Sequence, residues 1–157
     1  MMFTATRCAF AVWLSAPLIA ASLPAQTPVL ADSDVVVAGI AASKPRKVVE
    51  DVLGSPDSIS GTEWFPDLHY PGLTVSFTES GRVVSSITLV TPQYQTARGL
   101  RVGDSLARAR RLYGLPDVIA GHYYYCGTAS AYDDGIRLAV VGARIVSIEV
   151  GVLCRRD

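Results

Sequence analysis

Gly54-Ser55-Pro56-Asp57 and Gly114-Leu115-Pro116-Asp117 are two similar stretches that lie 60 residues apart. In each, a glycine and a proline follow a run of apolar residues at helical spacing. Glycine adopts the left-handed conformation that ends a helix, and proline cannot continue one. Both stretches therefore predict a helix end, and their likeness predicts an internal duplication.

The likeness extends outward from these stretches with the same order and spacing. Each copy predicts one helix, followed by segments in which apolar and polar residues alternate as they do in half-buried strands. In the second copy, Asp104 or Ser105 is expected to cap the helix and Gly114 to end it. The aligned pairs include Trp64 with Tyr124, Phe65 with Tyr125, Val84 with Ile145, and Ile87 with Ile148.

The predicted fold class is α+β. Repeat 1 is expected at about residues 40–91 and repeat 2 at about residues 100–154, joined by residues 92–99. Each repeat is expected to be one helix plus a three-stranded antiparallel meander. One such unit has little core, so the two are expected to combine into a sheet of about six strands with both helices on one face.

The N-terminus predicts export. Residues 1–7 carry one positive side chain, and residues 8–21 are apolar and uncharged, as in a secretory signal peptide. A buried N-terminal helix is the alternative, which Pro17 and Pro24 disfavour. The signal peptide and a disordered start are expected to occupy residues 1–31, with cleavage between about residues 22 and 31. One compact domain at 32–157 then remains, in the periplasm or outside a bacterial cell.

Cysteine usage agrees with export. Cys8 leaves with the signal peptide, and Cys126 and Cys154 remain as a pair in an oxidising compartment. The pair predicts a disulfide, with two free thiols as the alternative. No cysteine follows the apolar run in the place of a lipid anchor, and that run is shorter than the roughly 20 residues that span a membrane. Neither a lipid anchor nor a membrane span is expected.

The charge balance and the motifs argue against several functions. The chain has 14 basic and 14 acidic residues, which gives no excess positive charge for nucleic acid. It has two histidines and no pattern of zinc ligands, so no metal and no cofactor is expected. It also lacks the sequence patterns of a P-loop, a dinucleotide fold or a nucleophile elbow. These observations favour a protein that is not an enzyme.

Aromatic residues are the candidate binding groups. Consecutive side chains on a strand point to opposite faces of the sheet. If Tyr124 packs under the helix, Tyr123 and Tyr125 face the other side, where they would form a binding face. Ordinary cross-strand packing is the alternative interpretation. The candidate binding residues are Trp64, Phe65, Tyr70, His122, Tyr123, Tyr125 and Tyr132.

The segment Gly99-Leu100-Arg101-Val102-Gly103-Asp104-Ser105-Leu106, followed by the helix end at residues 110–117, resembles the small outer-membrane assembly lipoproteins of the SmpA/OmlA type. The tandem arrangement is similar to the fold of β-lactamase-inhibitory proteins. The resemblance covers about residues 40–152. It implies a protein-binding role for the sheet face away from the helices. Two features depart from the pattern: the lipid-anchor cysteine is missing, and the first copy reads Ser43-Lys44-Pro45 where the second has Gly-Asp-Ser.

The sequence thus predicts an exported protein-binding module, for example an inhibitor of an exported enzyme, whose partner is another exported protein. Two alternatives stay open. One is a cell-envelope structural or assembly factor, and the other is a small-molecule or glycan binder that uses an aromatic sheet face.

Overall fold

The computed structural model describes residues 30–78, 80–127 and 132–155. The predicted signal peptide and nearly all of the window for its cleavage lie outside these residues. The helices are α1 (Arg46–Leu53) and α2 (Leu106–Tyr113), and a 3-10 turn lies at Asp32–Asp34. The strands are β1 (Val36–Val37), β2 (Ile40–Ala41), β3 (Ser58–Gly61), β4 (Pro66–Tyr70), β5 (Leu73–Phe77), β6 (Val84–Leu89), β7 (Asp117–Ile119), β8 (His122–Cys126), β9 (Tyr132–Val141) and β10 (Arg144–Arg155).

One eight-stranded sheet dominates the described part of the chain. Its order is β3-β4-β5-β6-β10-β9-β8-β7, and every neighbouring pair is antiparallel. The strands that follow α1 and those that follow α2 meet at the central β6–β10 pair. Strands β1 and β2 form a separate small hairpin. The outer strands β3 and β7 are the two edges of the large sheet.

The predicted α+β fold of two repeats, each a helix plus a three-stranded meander, is wrong. The molecule is mostly β, because four strands rather than three follow each helix and eight rather than about six make up the sheet. The strands that the prediction missed are β1, β2, β3, β4 and β7, because a strand was predicted at residues 62–65 and a loop at residues 66–71. Strands β3 and β7 are only four and three residues long and are exposed throughout. Neither strand therefore has the alternation of buried and exposed residues that reveals a strand in a sequence.

The local signals for α2 are confirmed. Ser105 is the N-cap, and its side chain accepts a hydrogen bond from the Arg108 N–H. Gly114 ends the helix at φ 87°, a conformation that disfavours residues with a Cβ. Ala109 and Tyr113 are buried on one side of the helix. The first helix contributes Val49 to the same core.

The core lies on one face of the sheet. In β4 and β5, buried and half-buried residues alternate strictly, so one face of each strand packs inward and the other stays partly open. One buried row crosses six strands through residues that are directly opposite each other. It consists of Leu68, Val75, Ile87, Val150, Ile136 and Tyr125.

Segment 92–99, predicted as a linker, also fastens the start of the domain. The Arg98 guanidinium donates to both carboxylate oxygens of Asp34, at 2.7 and 2.5 Å, and to the Leu112 carbonyl at 2.7 Å. Its carbon lies 5.0 Å from the centre of the Tyr113 ring. The hydrogen bonds from Arg98 lower the pKa of Asp34 and outweigh its desolvation. Residues that are far apart in sequence are thus tied together under α2.

Candidate functional site

The turn between β3 and β4 displays two large aromatic side chains side by side. Trp64 is 65% exposed and Phe65 is 54% exposed. Thr62 and Phe65 exchange two backbone hydrogen bonds, at 3.3 and 3.2 Å, and the Thr62 hydroxyl accepts a third from the Phe65 N–H at 3.1 Å. We call Trp64 and Phe65 the aromatic tip.

Two glycines hold the aromatic tip in place. Gly61 has φ +83°, and a Cβ there would collide with the Phe65 carbonyl oxygen. Gly81, in the turn before β6, has φ +61° and comes so close to the tip that a Cβ would lie 3.0 Å from the Glu63 carbonyl oxygen. The turn is therefore fixed both by its own hydrogen bonds and by its neighbour. Sequence reasoning placed residues 62–65 in a strand, although glycine and threonine beside a charged residue are also turn signals.

The other candidate aromatic residues lie mostly in or against the core. Tyr70 is buried, and its hydroxyl donates to the Gly54 carbonyl at 3.3 Å. Tyr125 is buried with its ring 5.4 Å from that of Tyr113, and burial raises its pKa to about 12. Tyr123 packs against the same core. The side chain of Tyr132 lies outside the described residues.

The expected orientation of the β8 tyrosines is reversed. Tyr125 faces the core beside α2, so Tyr124 is the ring that points to the open side of the sheet. His122 lies on the same side as Tyr124 and is half-buried, and its Nδ1 has no hydrogen-bond partner among the described residues. The structure therefore does not bring Tyr123 and Tyr125 together with the aromatic tip on one exposed face.

The open face of the sheet carries a continuous polar row. Cross-strand partners place these side chains side by side from one edge to the other, and the inner members are half-buried. The row consists of Ser58, His69, Thr74, Thr88, Glu149, Arg137, Tyr124 and Asp117. At its centre Arg137 forms an ion pair with Glu149. Burial lowers the pKa of Arg137, but Tyr124 and Glu149 outweigh this effect, and the net pKa is raised.

A series of hydrogen bonds links β3, β4 and β5 on the open face of the sheet. Ser60 Oγ lies 2.7 Å from His69 Nε2, and His69 Nδ1 lies 3.1 Å from Thr74 Oγ1. A serine beside an imidazole has the groups of a nucleophile and a base. The third group is a hydroxyl instead of a carboxylate, so it orients the ring but supplies no charge to stabilise an imidazolium. These hydrogen bonds form a cross-strand network that holds the edge strand β3 in register.

A cleft of about 370 Å³ opens between the β1–β2 hairpin and the segment that precedes Arg101. Arg101 braces its wall by donating to the Pro92 carbonyl and the Gln95 side chain, both at 2.7 Å. The volume lies within the range of small-molecule sites, about 300–1,000 Å³. The lining residues that bear polar or aromatic groups are Gln93, Tyr94, Gln95, Thr96 and Arg101.

The disulfide that the sequence predicted is confirmed. Cys126 in β8 is bonded to Cys154 in β10, with Cα atoms 5.8 Å apart. Strand β9 lies between these two strands, and Gly135 occupies the crossing point. A Cβ on Gly135 would lie 2.5 Å from Cys154 Sγ and 3.0 Å from the Tyr125 carbonyl oxygen. The bond passes over β9 because Gly135 has no side chain.

Among the described residues, no helix is long and apolar enough to cross a bilayer. Within the same residues, histidine, cysteine, aspartate and glutamate side chains do not gather in groups of three or more suited to a metal ion.

Comparison with models of protein families gives no match, and comparison with the sequences of curated proteins gives none either. Among solved structures, the chain is similar to an extracellular protein containing a SCP domain from Bacillus anthracis str. Ames, determined at 1.5 Å resolution. The TM-score is 0.53 at 11% identity, and the match covers 83% of this chain and 50% of that protein. This chain thus spans about half the length of the matched protein, and the likeness concerns the fold alone.

Proposed function

We propose that this protein is an exported protein-binding module, for example an inhibitor of an exported enzyme, and that the aromatic tip is its main contact. The observation that carries the proposal is the exposure of Trp64 and Phe65 on a fixed turn. Tryptophan and tyrosine are enriched among the residues that dominate binding energy, and aromatic side chains in general are enriched in interfaces.

The rigidity of the turn supports the proposal. Ordering a loop on binding costs free energy, so a contact that is already ordered retains more of its burial energy. Three hydrogen bonds and Gly61 order the tip before any partner arrives. A tip that served only to close the hairpin would need no exposed tryptophan, because small polar residues and glycine form such turns.

Export is supported by two independent features. The Cys126–Cys154 bond is of the kind that forms and persists in oxidising compartments. The structurally similar protein is described as extracellular. The partner is therefore proposed to be another protein of the periplasm or of the cell exterior.

The test is capture of a partner from a periplasmic or culture-supernatant fraction by the oxidised protein. The Trp64→Ala/Phe65→Ala variant is expected to lose the partner while it retains the wild-type circular dichroism spectrum and Tm. Leu115→Ala is the matched control, because Leu115 is 81% exposed but lies in the loop after α2. Equal retention of the partner by all three proteins would refute the role of the tip.

The cleft favours a small-molecule or glycan binder as a second candidate function. Tyr94 supplies a flat ring, and Arg101 and two glutamines supply polar contacts in a space of about 370 Å³. The probes are the trimer of N-acetylglucosamine and maltotriose, titrated calorimetrically. Binding that disappears in Tyr94→Ala but persists in the tip variant would favour this candidate over protein binding.

A further inference from the structure

We propose that the exposed edge of β3 is a docking site for an extended peptide segment of the partner, which adds to the sheet as a ninth strand. The proposal rests on the proposed protein-binding function and names the kind of contact that accompanies the aromatic tip. It is carried by the geometry of β3, by the charges that flank it and by its short length.

The hydrogen-bond pattern leaves outward-facing peptide groups on β3. Thr62 and Phe65 exchange both of their backbone hydrogen bonds, and such pairs alternate with non-bonded pairs along an antiparallel ladder. Ser60 opposite Asp67 is therefore the next bonded pair, and Ile59 opposite Leu68 is a non-bonded one. The N–H and C=O groups of Ile59 consequently point away from the sheet, where an added strand would meet them.

Strand β3 is short, but none of its own side chains guards the edge against pairing. Edge strands are commonly guarded by lysine, by proline or by inward-pointing charges. Strand β3 has the sequence Ser-Ile-Ser-Gly, and all four residues are exposed. The Ile59 side chain, 56% exposed, extends the apolar side of the sheet towards the partner. The turn that carries the aromatic tip begins directly after the strand.

Charge defines the ends of the segment that would fit. Asp57 precedes β3 and Glu63 follows it in the turn, and both are exposed. Neither carboxylate forms an ion pair with another described residue. An extended segment with apolar residues at alternate positions and a basic residue at each end complements this edge.

The length of β3 favours a peptide segment over a second copy of the chain. Four residues span about 13 Å at roughly 3.3 Å per residue. Edge-to-edge contact over that length buries far less than the about 800 Å² per partner of a stable interface. A flexible segment can pair with β3 and continue over the aromatic tip, so it gains contacts that a second rigid sheet cannot reach.

The test measures binding of the synthetic peptide acetyl-Lys-Thr-Val-Thr-Val-Lys-amide to the oxidised protein by NMR titration. Binding is expected to slow hydrogen exchange at the Ile59 amide. Ile59→Lys is expected to weaken binding by about tenfold or more, because the charge guards the edge. Val118→Lys is the matched control, since Val118 lies on the opposite edge strand and is 61% exposed. It is expected to leave the affinity unchanged.

Two further peptides sharpen the result. A version with N-methylated valines, which cannot donate main-chain hydrogen bonds, and a version with glutamate at both ends should each bind at least about tenfold more weakly. Binding that is indifferent to N-methylation or to Ile59→Lys would overturn the proposal, and so would pairing of β3 with a second copy of the chain. If tip-dependent capture of a partner persists while the β3 variant has no effect, this inference fails and the proposed function stands.

Discussion

Removal of the disulfide should destabilise the protein by an amount that follows from its position. Cys126 and Cys154 are 28 residues apart in sequence. Closing a loop of this size in the unfolded chain corresponds to about 3.5 kcal/mol in the chain-entropy model. For a urea m-value of about 2 kcal/mol/M, the Cys126→Ala/Cys154→Ala variant should unfold at a urea concentration lower by about 2 M. Equilibrium urea denaturation followed by circular dichroism measures this shift.

The crossing over β9 supplies a second variant for the same prediction. Gly135→Ala places a methyl group 2.5 Å from Cys154 Sγ, whereas a Cβ on Gly127 meets its nearest neighbour at 3.6 Å, an ordinary contact. Thiol titration of the purified proteins should therefore find more free thiol in Gly135→Ala than in Gly127→Ala. The reasoning would be refuted if the wild-type protein, reduced with dithiothreitol, unfolded at the same urea concentration as the oxidised protein, or if Gly135→Ala oxidised fully.

Three other predictions follow from buried groups. The pKa of Asp34 is lower in the folded protein than in the unfolded chain, where it is about 3.9. The Asp34 carboxylate therefore stabilises the folded state fully above that pH, and this contribution is lost as the pH falls through the pKa of the folded state. Asp34→Asn should cost about 2 kcal/mol in urea denaturation at pH 7 and should remove part of the acid dependence. The raised pKa of Tyr125, about 12, predicts stability that declines as the pH rises from about 10 towards 12. Tyr125→Phe should reduce that decline without loss of stability at pH 7, because the Tyr125 hydroxyl has no partner among the described residues. Leu30 is buried and the Ala31 N–H donates to Asp34. Intact-mass analysis of the exported protein should therefore find a mature chain that begins before residue 30. A mass that corresponds to a chain starting at residue 32 would contradict this prediction.

Local signals in the sequence were sufficient for the helices and for the disulfide. Ser105 and Gly114 mark the ends of α2 because capping depends on neighbouring residues alone. The pairing of Cys126 with Cys154 followed from there being only two cysteines after the predicted signal peptide. Strand β5 was found because burial of one face leaves its period in the sequence, whereas β4 at residues 66–70 was missed although it has the same period.

The rest depends on relations between distant residues that a local pattern does not contain. Strand β3 is an edge strand with no buried face, so nothing in its own residues identifies it. The Asp34–Arg98 ion pair joins residues 64 positions apart. The orientation of Tyr124 and Tyr125 is set by the register of β8 on β9, and a shift of one residue exchanges the two faces. The prediction supposed that Tyr124 packs under the helix, whereas in the structure Tyr125 is the buried residue.

The two outer hairpins of the sheet differ in a way that bears directly on the aromatic tip. The turn between β3 and β4 has four residues, Thr62 to Phe65, whereas that between β7 and β8 has only two. The sequence alignment paired Phe65 with Tyr125, yet Tyr125 lies within β8 and packs in the core, and Phe65 projects from the longer turn. Leu68 and Tyr70 already occupy core-facing positions of β4. The aromatic tip is therefore additional to what packing requires, and an apolar surface kept exposed and rigid without a packing role is the kind of feature that a binding partner explains.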